Sequence, residues 1–492
     1  MAANWGRRPE KEHKGEKVMN EKTRGTFRNN IGFVLAAAGS AIGLGNLWRF
    51  PYFAAKDGGG VFLLVYLLLT VTFGFALMLT EIAIGRKTQT TPLQAYGKLH
   101  RKFRFLGVIA TAVPVIIFPY YCVIGGWVTK YGFTYLTGGS SEIYGTGAPA
   151  FFNGFLSDSV SPILWFFVFM VITGAVVLLG VEKGIEKASK FMLPVLLFLI
   201  LGIAVYSLTL QHTDPATGET RTALDGLKIY LIPDFSGMTW NKFIGILLDA
   251  MGQMFYSLSI AMGIMITYGS YSQKESNLVR SVNQIEFFDT GVALIAGLII
   301  IPTVFAFQGA EGLETAGPGL MFISLPSIFE QMGAAGNIVG ALFFLLVLFA
   351  ALTSSISLME AITASFMDSF GLRRSTAVLI SFGIATVIGV TVCLGYNAFY
   401  ADIPLPNGTT GQFLDVLDYL SNNLLLPIVA LLTCVLIGWL CKPKVVLDEV
   451  KEGMGQKKFG RETMYVIMIR YVAPVFLLLI LLQAFNLFWF LG

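Results

Sequence analysis

Gly39-Ser-Ala-Ile-Gly-Leu-Gly-Asn-Leu-Trp-Arg-Phe-Pro51 lies inside an apolar stretch that begins at Ile31 and would otherwise make a good membrane helix. The glycines at 39, 43 and 45 each weaken helix propensity by about 1 kcal/mol. Asn46 and Arg49 follow in the same segment, and both are expensive in hydrocarbon. Broken backbone at membrane depth is tolerated only where protein buries it or where it lines a cavity. Packing of small residues against a neighbouring helix accounts for Gly39 and Gly43, but gives no reason for Asn46 and Arg49. The stretch therefore predicts a discontinuous helix built around a binding site.

The surrounding composition agrees. Of 492 residues, 55% are hydrophobic and 13% charged, and the mean hydropathy is +0.70. A soluble domain carries about 25% charged residues, so the chain reads as an all-α integral membrane protein with the lipid bilayer as its surroundings. The net charge of +4 is too small and too dispersed for a nucleic-acid partner. Cys122, Cys393, Cys434 and Cys441 fall in or beside apolar segments, which argues against a disulfide framework. Residues 1–30 are polar and charged, without the apolar core of a cleavable signal peptide, and the first 18 read as disordered.

A span needs about 20 apolar residues. Eleven candidates follow in order: 31–54, 61–84, 104–133, 163–181, 191–210, 243–271, 286–307, 338–366, 375–396, 411–440 and 465–490. Lys and Arg collect before the first span and in alternate loops, for instance Arg86, Lys87, Lys98, Arg101 and Lys102, then Lys183, Lys187 and Lys190. The intervening loops at 134–162, 308–337 and 397–410 contain none. Only 211–242 departs from the alternation, with Arg221, Lys228 and Lys242. The positive-inside rule then puts the amino terminus in the cytoplasm and the carboxyl terminus outside, in a cell membrane. The expected organisation is a cytoplasmic segment at 1–30, five spans over 31–210 and an extracellular loop at 211–242. Five more spans cover 243–440, followed by a cytoplasmic loop at 441–464 and a last span with its extracellular end at 465–492.

A second irregular span contains Tyr256-Ser-Leu-Ser-Ile-Ala-Met-Gly263, with two serines and small residues at its middle. It lies five spans after the first, so the two broken helices run in opposite directions. That is the sequence sign of a 5+5 inverted repeat with its site at the midplane. The 309–337 loop carries Gly317, Pro318, Gly319 and Pro326 around Met321, Phe322 and Phe329, which predicts an extracellular lid that folds back. Asn407-Gly-Thr409 matches a glycosylation sequon, most simply by chance.

Thr353-Ser-Ser355 follows a wholly apolar run from Leu342 to Leu352. Such hydroxyls either bond back to their own helix or, with carbonyls freed by an unwound helix and with Glu360 close by, serve a sodium ion that wants about five or six hard oxygens. Arg49, Glu81, Asp249, Asp289, Glu360 and Asp418 are ionisable residues within spans, each a functional hypothesis. Arg49 and Asp418, toward the outer side, are expected to pair across an entrance. Arg24 and Asp368, at the cytoplasmic ends of spans 1 and 8, are expected to do the same inside. Each of the four can instead be an ordinary interfacial charge, a reading stronger for Arg24 than for Arg49.

Gly39 to Pro51, Asp57-Gly-Gly-Gly60, Tyr120-Tyr121 with Trp127, Gly252-Gln253 through Ser259, and Leu352-Thr-Ser-Ser355 resemble the neurotransmitter:sodium symporter family, and its bacterial amino-acid members most closely. The resemblance runs in order from about 24 to 440. It implies a leucine-transporter-like fold with helices 1 and 6 discontinuous, and two sodium ions. One ion would use the carbonyls of Gly39, Ile42 and Ala350 with the hydroxyls of Thr353 and Ser354. The other would use the Ala41 carbonyl, Asn46, Ser257, Asp289 and the substrate's own carboxylate. That carboxylate would meet the amides of Leu44 and Gly45, at a helix start that favours anions, and the Tyr121 hydroxyl. Ser40, Ala41, Gly43, Ile117, Tyr256, Ser257, Ser259, Met262, Ser354 and Leu358 would surround the rest of the substrate. Arg49 and Asp418 would form the outer gate above Tyr256, and Arg24, Tyr271 and Asp368 the inner one.

Three departures refine what the resemblance implies. Relatives that carry monoamines have Asp where this chain has Gly43, which argues here for an amino acid. Met262 stands where the leucine-transporting relative has Phe, and Met adapts its shape, so aliphatic and aromatic side chains are both expected to fit. Chloride-dependent relatives have Asn and, four residues on, Ser where this chain has Asp289 and Ala293; a fixed carboxylate replaces the anion, and no chloride requirement is expected.

The function implied is sodium-driven uptake of hydrophobic L-amino acids by alternating access. An ion channel or a non-transporting amino-acid sensor on the same scaffold are the rivals. An enzyme is disfavoured: HExxH and Walker patterns are absent, and Gly43-Leu-Gly45 lacks the third glycine of a dinucleotide loop. Nothing in the sequence specifies an oligomeric state.

Overall fold

In hydrocarbon a backbone must satisfy its own polar groups, which leaves an apolar stretch of about 20 residues little choice but the helix. The computed structural model describes residues 25–214, 218–314, 317–455 and 458–487; Arg24 and the first 18 residues lie outside them. Nine helices among the described residues are long and apolar enough to cross a membrane. They are α3 (Gly60–Thr88), α4 (Arg104–Leu136), α5 (Ser161–Leu178), α6 (Val181–Ser207), α9 (Leu278–Gly312), α11 (Ala334–Phe370), α12 (Arg374–Leu394), α13 (Phe413–Leu440) and α15 (Glu462–Ala484). A tenth span is the pair α1 (Asn30–Ala41) and α2 (Gly45–Lys56), bent by 51°. In the place of the expected sixth span stand α7 (Trp240–Ser257) and the single turn-and-a-half α8 (Ile264–Gly269), separated by residues 258–263. The long α4 and α11 pack against each other through the centre, with α1, α5, α6 and α12 laid against α11.

Glycines permit the closest of these approaches. A Cβ at Gly85 of α3 would lie 1.9 Å from the carbonyl oxygen of Ile266, and one at Gly269 would lie 2.3 Å from that of Ile82. The stub α8 is thereby pressed backbone to backbone on α3. At the same end of α3, fully buried Arg86 donates to the Glu449 carboxylate at 2.8 Å, to the Glu449 carbonyl, and to the carbonyls of Lys274 and Ser276. Glu449 belongs to α14 (Lys444–Glu452), so one guanidinium ties three segments together.

Two loops proved to be structured. The 211–242 segment contains an antiparallel hairpin, β1 (Gln211–Thr213) with β2 (Thr220–Thr222), followed by a helix at Ala223–Leu231. That helix lies on α9, where the Tyr230 hydroxyl donates to the Leu294 carbonyl at 3.0 Å. The 309–337 segment breaks away at Gly309, whose φ of +68° suits glycine, and continues into α10 (Leu325–Gln331). Phe322, just before α10, is buried against Trp48, Trp127, Tyr131, Phe152 and Phe344, so this segment does fold back onto the helices.

The expected boundary of the fifth span is corrected. The helix begins at Val181 rather than 191, and Lys183, Lys187 and Lys190 stand on its first turns. Lysine stems lie along a helix while the ammonium reaches water, so the charges mark an interface and not a loop.

Candidate functional site

The first break is built by residues that cannot continue a helix cheaply. Asn29 caps α1, its side chain accepting from the Gly32 amide at 2.8 Å. The helix ends at Ala41, and Ile42 turns extended with ψ of 103°. The chain re-enters as a wide π-type turn at Gly45–Arg49, of the kind that concentrates at functional sites. Asn46 stabilises the gap from within, its carbonyl accepting from the Gly43 amide at 3.0 Å. The second break carries left-handed backbone at Ser259 (φ 52°), Ala261 (φ 64°) and Gly263 (φ 71°). Ser259 and Ala261 lack glycine's freedom there, and their surroundings hold them: Glu81 accepts from the Ala261 amide at 2.7 Å, and the Ser259 hydroxyl donates to the Ser40 carbonyl at 3.0 Å.

The two breaks touch each other through Ser40 and Ser259, and α11 meets the first of them. Ser354 donates to the carbonyls of Ser40 at 3.0 Å and Ile42 at 3.2 Å, so carbonyls freed in α1 find a hydroxyl of α11. Thr353 lies against Gly39, where a Cβ would come within 3.3 Å of it. Its hydroxyl bonds back to Phe349 and to Ala350, at 3.0 Å for the latter. Gly39, Ile42, Ala350, Thr353 and Ser354 are thus gathered at one place, with the Thr353 hydroxyl bonded back to its own helix.

A second polar knot joins α2, α7 and α9. Asp289 accepts at the same carboxylate oxygen from Asn46 at 2.8 Å and from Ser257 at 2.7 Å, while its Oδ2 is buried without a partner. Ala293, one turn further along α9, is fully buried.

Between these clusters lies a cavity. Its walls are Ser40, Ala41, Gly43, Leu44, Gly45, Asn46, Ile117, Tyr121, Tyr256, Ser257, Ser259, Met262, Ile264, Ser354 and Leu358. The Tyr121 hydroxyl lies 3.4 Å from the Leu44 amide, at the start of α2 where the first amides lack partners within the helix. A Cβ at Gly43 would lie 2.7 Å from the Ser354 hydroxyl and 3.1 Å from that of Tyr121, so glycine keeps this corner open.

Ile264 is not singled out by the sequence, and Gln253 only as part of a motif without a role. Ile264 opens α8 directly after the second break, and Gln253 donates to the Gly45 carbonyl at 3.0 Å. Glu81 stood out in the sequence only as a charge within a span. Its bond to the Ala261 amide joins residues 180 positions apart, which no local pattern announces.

The expected gates are redrawn. Arg49 does not pair with Asp418: no ion pair among the described residues joins them. The Arg49 guanidinium lies over the rings of Tyr256 and Phe53, at 5.4 and 5.5 Å, an attraction available to a cation without a carboxylate. Asp418 instead accepts from Tyr120 at 3.2 Å and Asn422 at 2.6 Å. Tyr256 and Arg49 together separate the cavity from a larger polar one lined by Asp249, Asn422 and Gln483. Phe27, ahead of α1, is buried and packed edge-on against Phe33, Tyr268 and Tyr271. Asp368 accepts from the Thr91 amide at 2.9 Å, and Arg24, its expected partner, lies outside the described residues. Tyr271 donates to Glu360 at 2.8 Å. Glu360 also holds Arg374 and so does not join Thr353 and Ser354; it sits two turns further along α11, where its buried charge has a fixed cationic partner.

A model of the Sodium:neurotransmitter symporter family matches residues 24–140 and 157–489. An uncharacterized sodium-dependent transporter of Bacillus subtilis is 34% identical over 474 residues, 96% of this chain and 100% of its own. The sodium- and chloride-dependent GABA transporter 2 of Homo sapiens is 26% identical, over 88% of this chain and 76% of its own. The crystal structure of MhsT in complex with L-phenylalanine superposes with a TM-score of 0.82, at 34% identity, covering 94% of this chain and 100% of that one. With two broken helices meeting around a cavity and sodium-dependent transporters as its relatives, this multi-pass membrane protein is a sodium-coupled transporter, and the chain belongs to the sodium:neurotransmitter symporter family.

Proposed function

We propose that the transporter imports hydrophobic L-amino acids with two sodium ions by alternating access, across a cell membrane, with its amino terminus in the cytoplasm. The observation that carries this reading is the mixed lining of the cavity. The start of α2 at Leu44 and Gly45 with the Tyr121 hydroxyl beside it suits a carboxylate. Ile117, Met262 and Leu358 in the same wall suit an apolar side chain. MhsT, of similar fold and 34% identity, was solved with L-phenylalanine. In this reading the spans of 31–210 and 243–440 are the two inverted halves, 211–242 and the lid at 309–337 are extracellular, and 441–464 is cytoplasmic. One ion takes the carbonyls of Gly39, Ile42 and Ala350 with the hydroxyls of Thr353 and Ser354; the other takes Ala41, Asn46, Ser257, Asp289 and the substrate.

Uptake of labelled phenylalanine and leucine into proteoliposomes tests the reading. Concentrative uptake driven by an inward sodium gradient is expected for both. Flux that only equilibrates would indicate a channel, and binding without uptake a sensor. Met262→Phe is expected to favour smaller substrates, because a stiffer ring replaces a side chain that adapts. A wild type that takes up leucine and excludes Phe, Tyr and Trp overturns the assignment of Met262.

The ion at Gly39, Ile42 and Ala350 has its own test. Replacing both Thr353 and Ser354 by Ala removes two hard-oxygen ligands and also the donor to the Ser40 and Ile42 carbonyls. Apparent sodium affinity is expected to fall by about tenfold or more, since a good ligand is worth over ~1.4 kcal/mol. Unchanged sodium dependence in the double variant removes these hydroxyls from the site.

A further inference from the structure

The first half-helix, α1, is severed from α2 at its inner-cavity end, and its other end is held by a contact that transport by alternating access would have to release. Glu186, in the first turns of α6, is 2% exposed although it is a carboxylate. Its Oε2 accepts from the Arg28 amide at 2.9 Å, across 158 positions of sequence. Its Oε1 is held at 2.5 Å by Lys190, one turn along its own helix. The carboxylate therefore caps the approach to the amino-terminal end of α1, where the helix presents unpaired amides and partial positive charge.

The fit on both sides is close. A Cβ on Gly32 would lie 2.4 Å from the Glu186 carboxyl carbon and from Oε1, and one on Gly25 would lie 2.8 Å from Val181. The lead-in of α1 thus rests along residues 181–186, and glycine at 32 is what lets the carboxylate reach it. Phe27 lies in the same lead-in, packed on Tyr268 and Tyr271, its amide donating to the Tyr271 carbonyl at 3.2 Å. Lifting the lead-in from Glu186 draws Phe27 off that segment.

We infer that Glu186 is a positioning residue of the transport cycle, a latch whose charge holds α1 against α6 and keeps the Phe27 side packed until it opens to release sodium and substrate. The inference rests on the alternating-access reading above. A buried hydrogen bond to a charged group is stronger than a neutral one, so the latch is firm while closed. Both partners become hydrated when it opens, which makes the contact reversible.

Hydrogen–deuterium exchange of the full chain in lipid nanodiscs, compared in sodium and in potassium, reads the latch. In the wild type, sodium is expected to slow exchange over residues 25–33. Glu186→Gln keeps the size and removes the charge. Exchange over 25–33 in sodium is expected to rise about tenfold, the scale of one charge-assisted hydrogen bond, with α4 and α11 unchanged. Gly32→Ala pushes the carboxylate away from the other side, is expected to give the same result, and decides the matter should Glu186→Gln fail to fold. Wild-type exchange over 25–33 in the variants overturns the latch, as does an acceleration spread over neighbouring helices and equal in sodium and potassium, which marks a purely structural contact. A wild type whose 25–33 exchange ignores sodium overturns the alternating-access reading itself, so the two failures are told apart.

Discussion

Asp289→Ala is expected to lower apparent sodium affinity by about a hundredfold, with uptake lost at ordinary sodium concentrations. In the proposed site Asp289 is the one protein ligand that carries charge. It collects the Asn46 amide and the Ser257 hydroxyl on one oxygen and leaves the other free, so an ion would meet an anionic oxygen already aligned with two neutral ligands. Removing one partner of a buried ion pair costs about 3–5 kcal/mol, and the lower figure corresponds to roughly a hundredfold in affinity. The same charge bears on chloride. Two sodium ions and a zwitterion bring two positive charges to a buried site, and a fixed carboxylate offsets part of that excess. Uptake by the wild type is therefore expected to continue when all chloride is replaced by gluconate. Asp289→Asn together with Ala293→Ser should weaken transport or make it respond to chloride. A wild type that stops in gluconate, or an Asp289→Ala variant with unchanged sodium dependence, sinks this assignment.

The second large effect concerns stability. Glu449→Ala leaves the Arg86 guanidinium, fully buried at the end of α3, without its carboxylate. The expected loss is about 3–5 kcal/mol, because an uncompensated buried charge is the costly product of breaking such a pair. Lys274, at 3.3 Å from the same carboxylate, is half-exposed and turns to water, so it adds little. Thermal unfolding followed by size-exclusion in detergent measures the loss. Arg86→Met combined with Glu449→Leu should recover much of it, since apolar replacement of both partners is often neutral. A single variant as stable as the wild type would show that α14 is only loosely attached.

How far these features are legible without coordinates varies with how local they are. Membrane residence follows from composition, and the breaks in the first and sixth spans follow from residues that make a continuous helix expensive where they stand: Gly39, Gly43 and Gly45 with Asn46 and Arg49, then Ser257 and Ser259 beside Gly263. The residues around the cavity were assembled from resemblance to a family, and the structure brings them round one space. Less local features were misread. Lysines at 183, 187 and 190 looked like a loop because charge was counted and the reach of the side chain was not. Glu360 looked like a companion of Thr353 and Ser354 because it is near in sequence, while a helix carries it two turns away to Arg374.

What remained for the tertiary structure were choices among partners. The apolar spans, the two interruptions and the polar groups placed in them are properties of short segments, whose cost in hydrocarbon can be added up residue by residue. Whether Arg49 reaches Asp418 or lies on Tyr256 and Phe53 depends on side chains from separate spans competing for the same space. That Glu186 meets Arg28, that Glu81 holds Ala261 and that Gln253 holds Gly45 depends likewise on how closely glycine-bearing helices pack. Those contacts join residues 158, 180 and 208 positions apart. Their energies arise only once the chain is folded, when burial removes water and leaves each polar group few available partners.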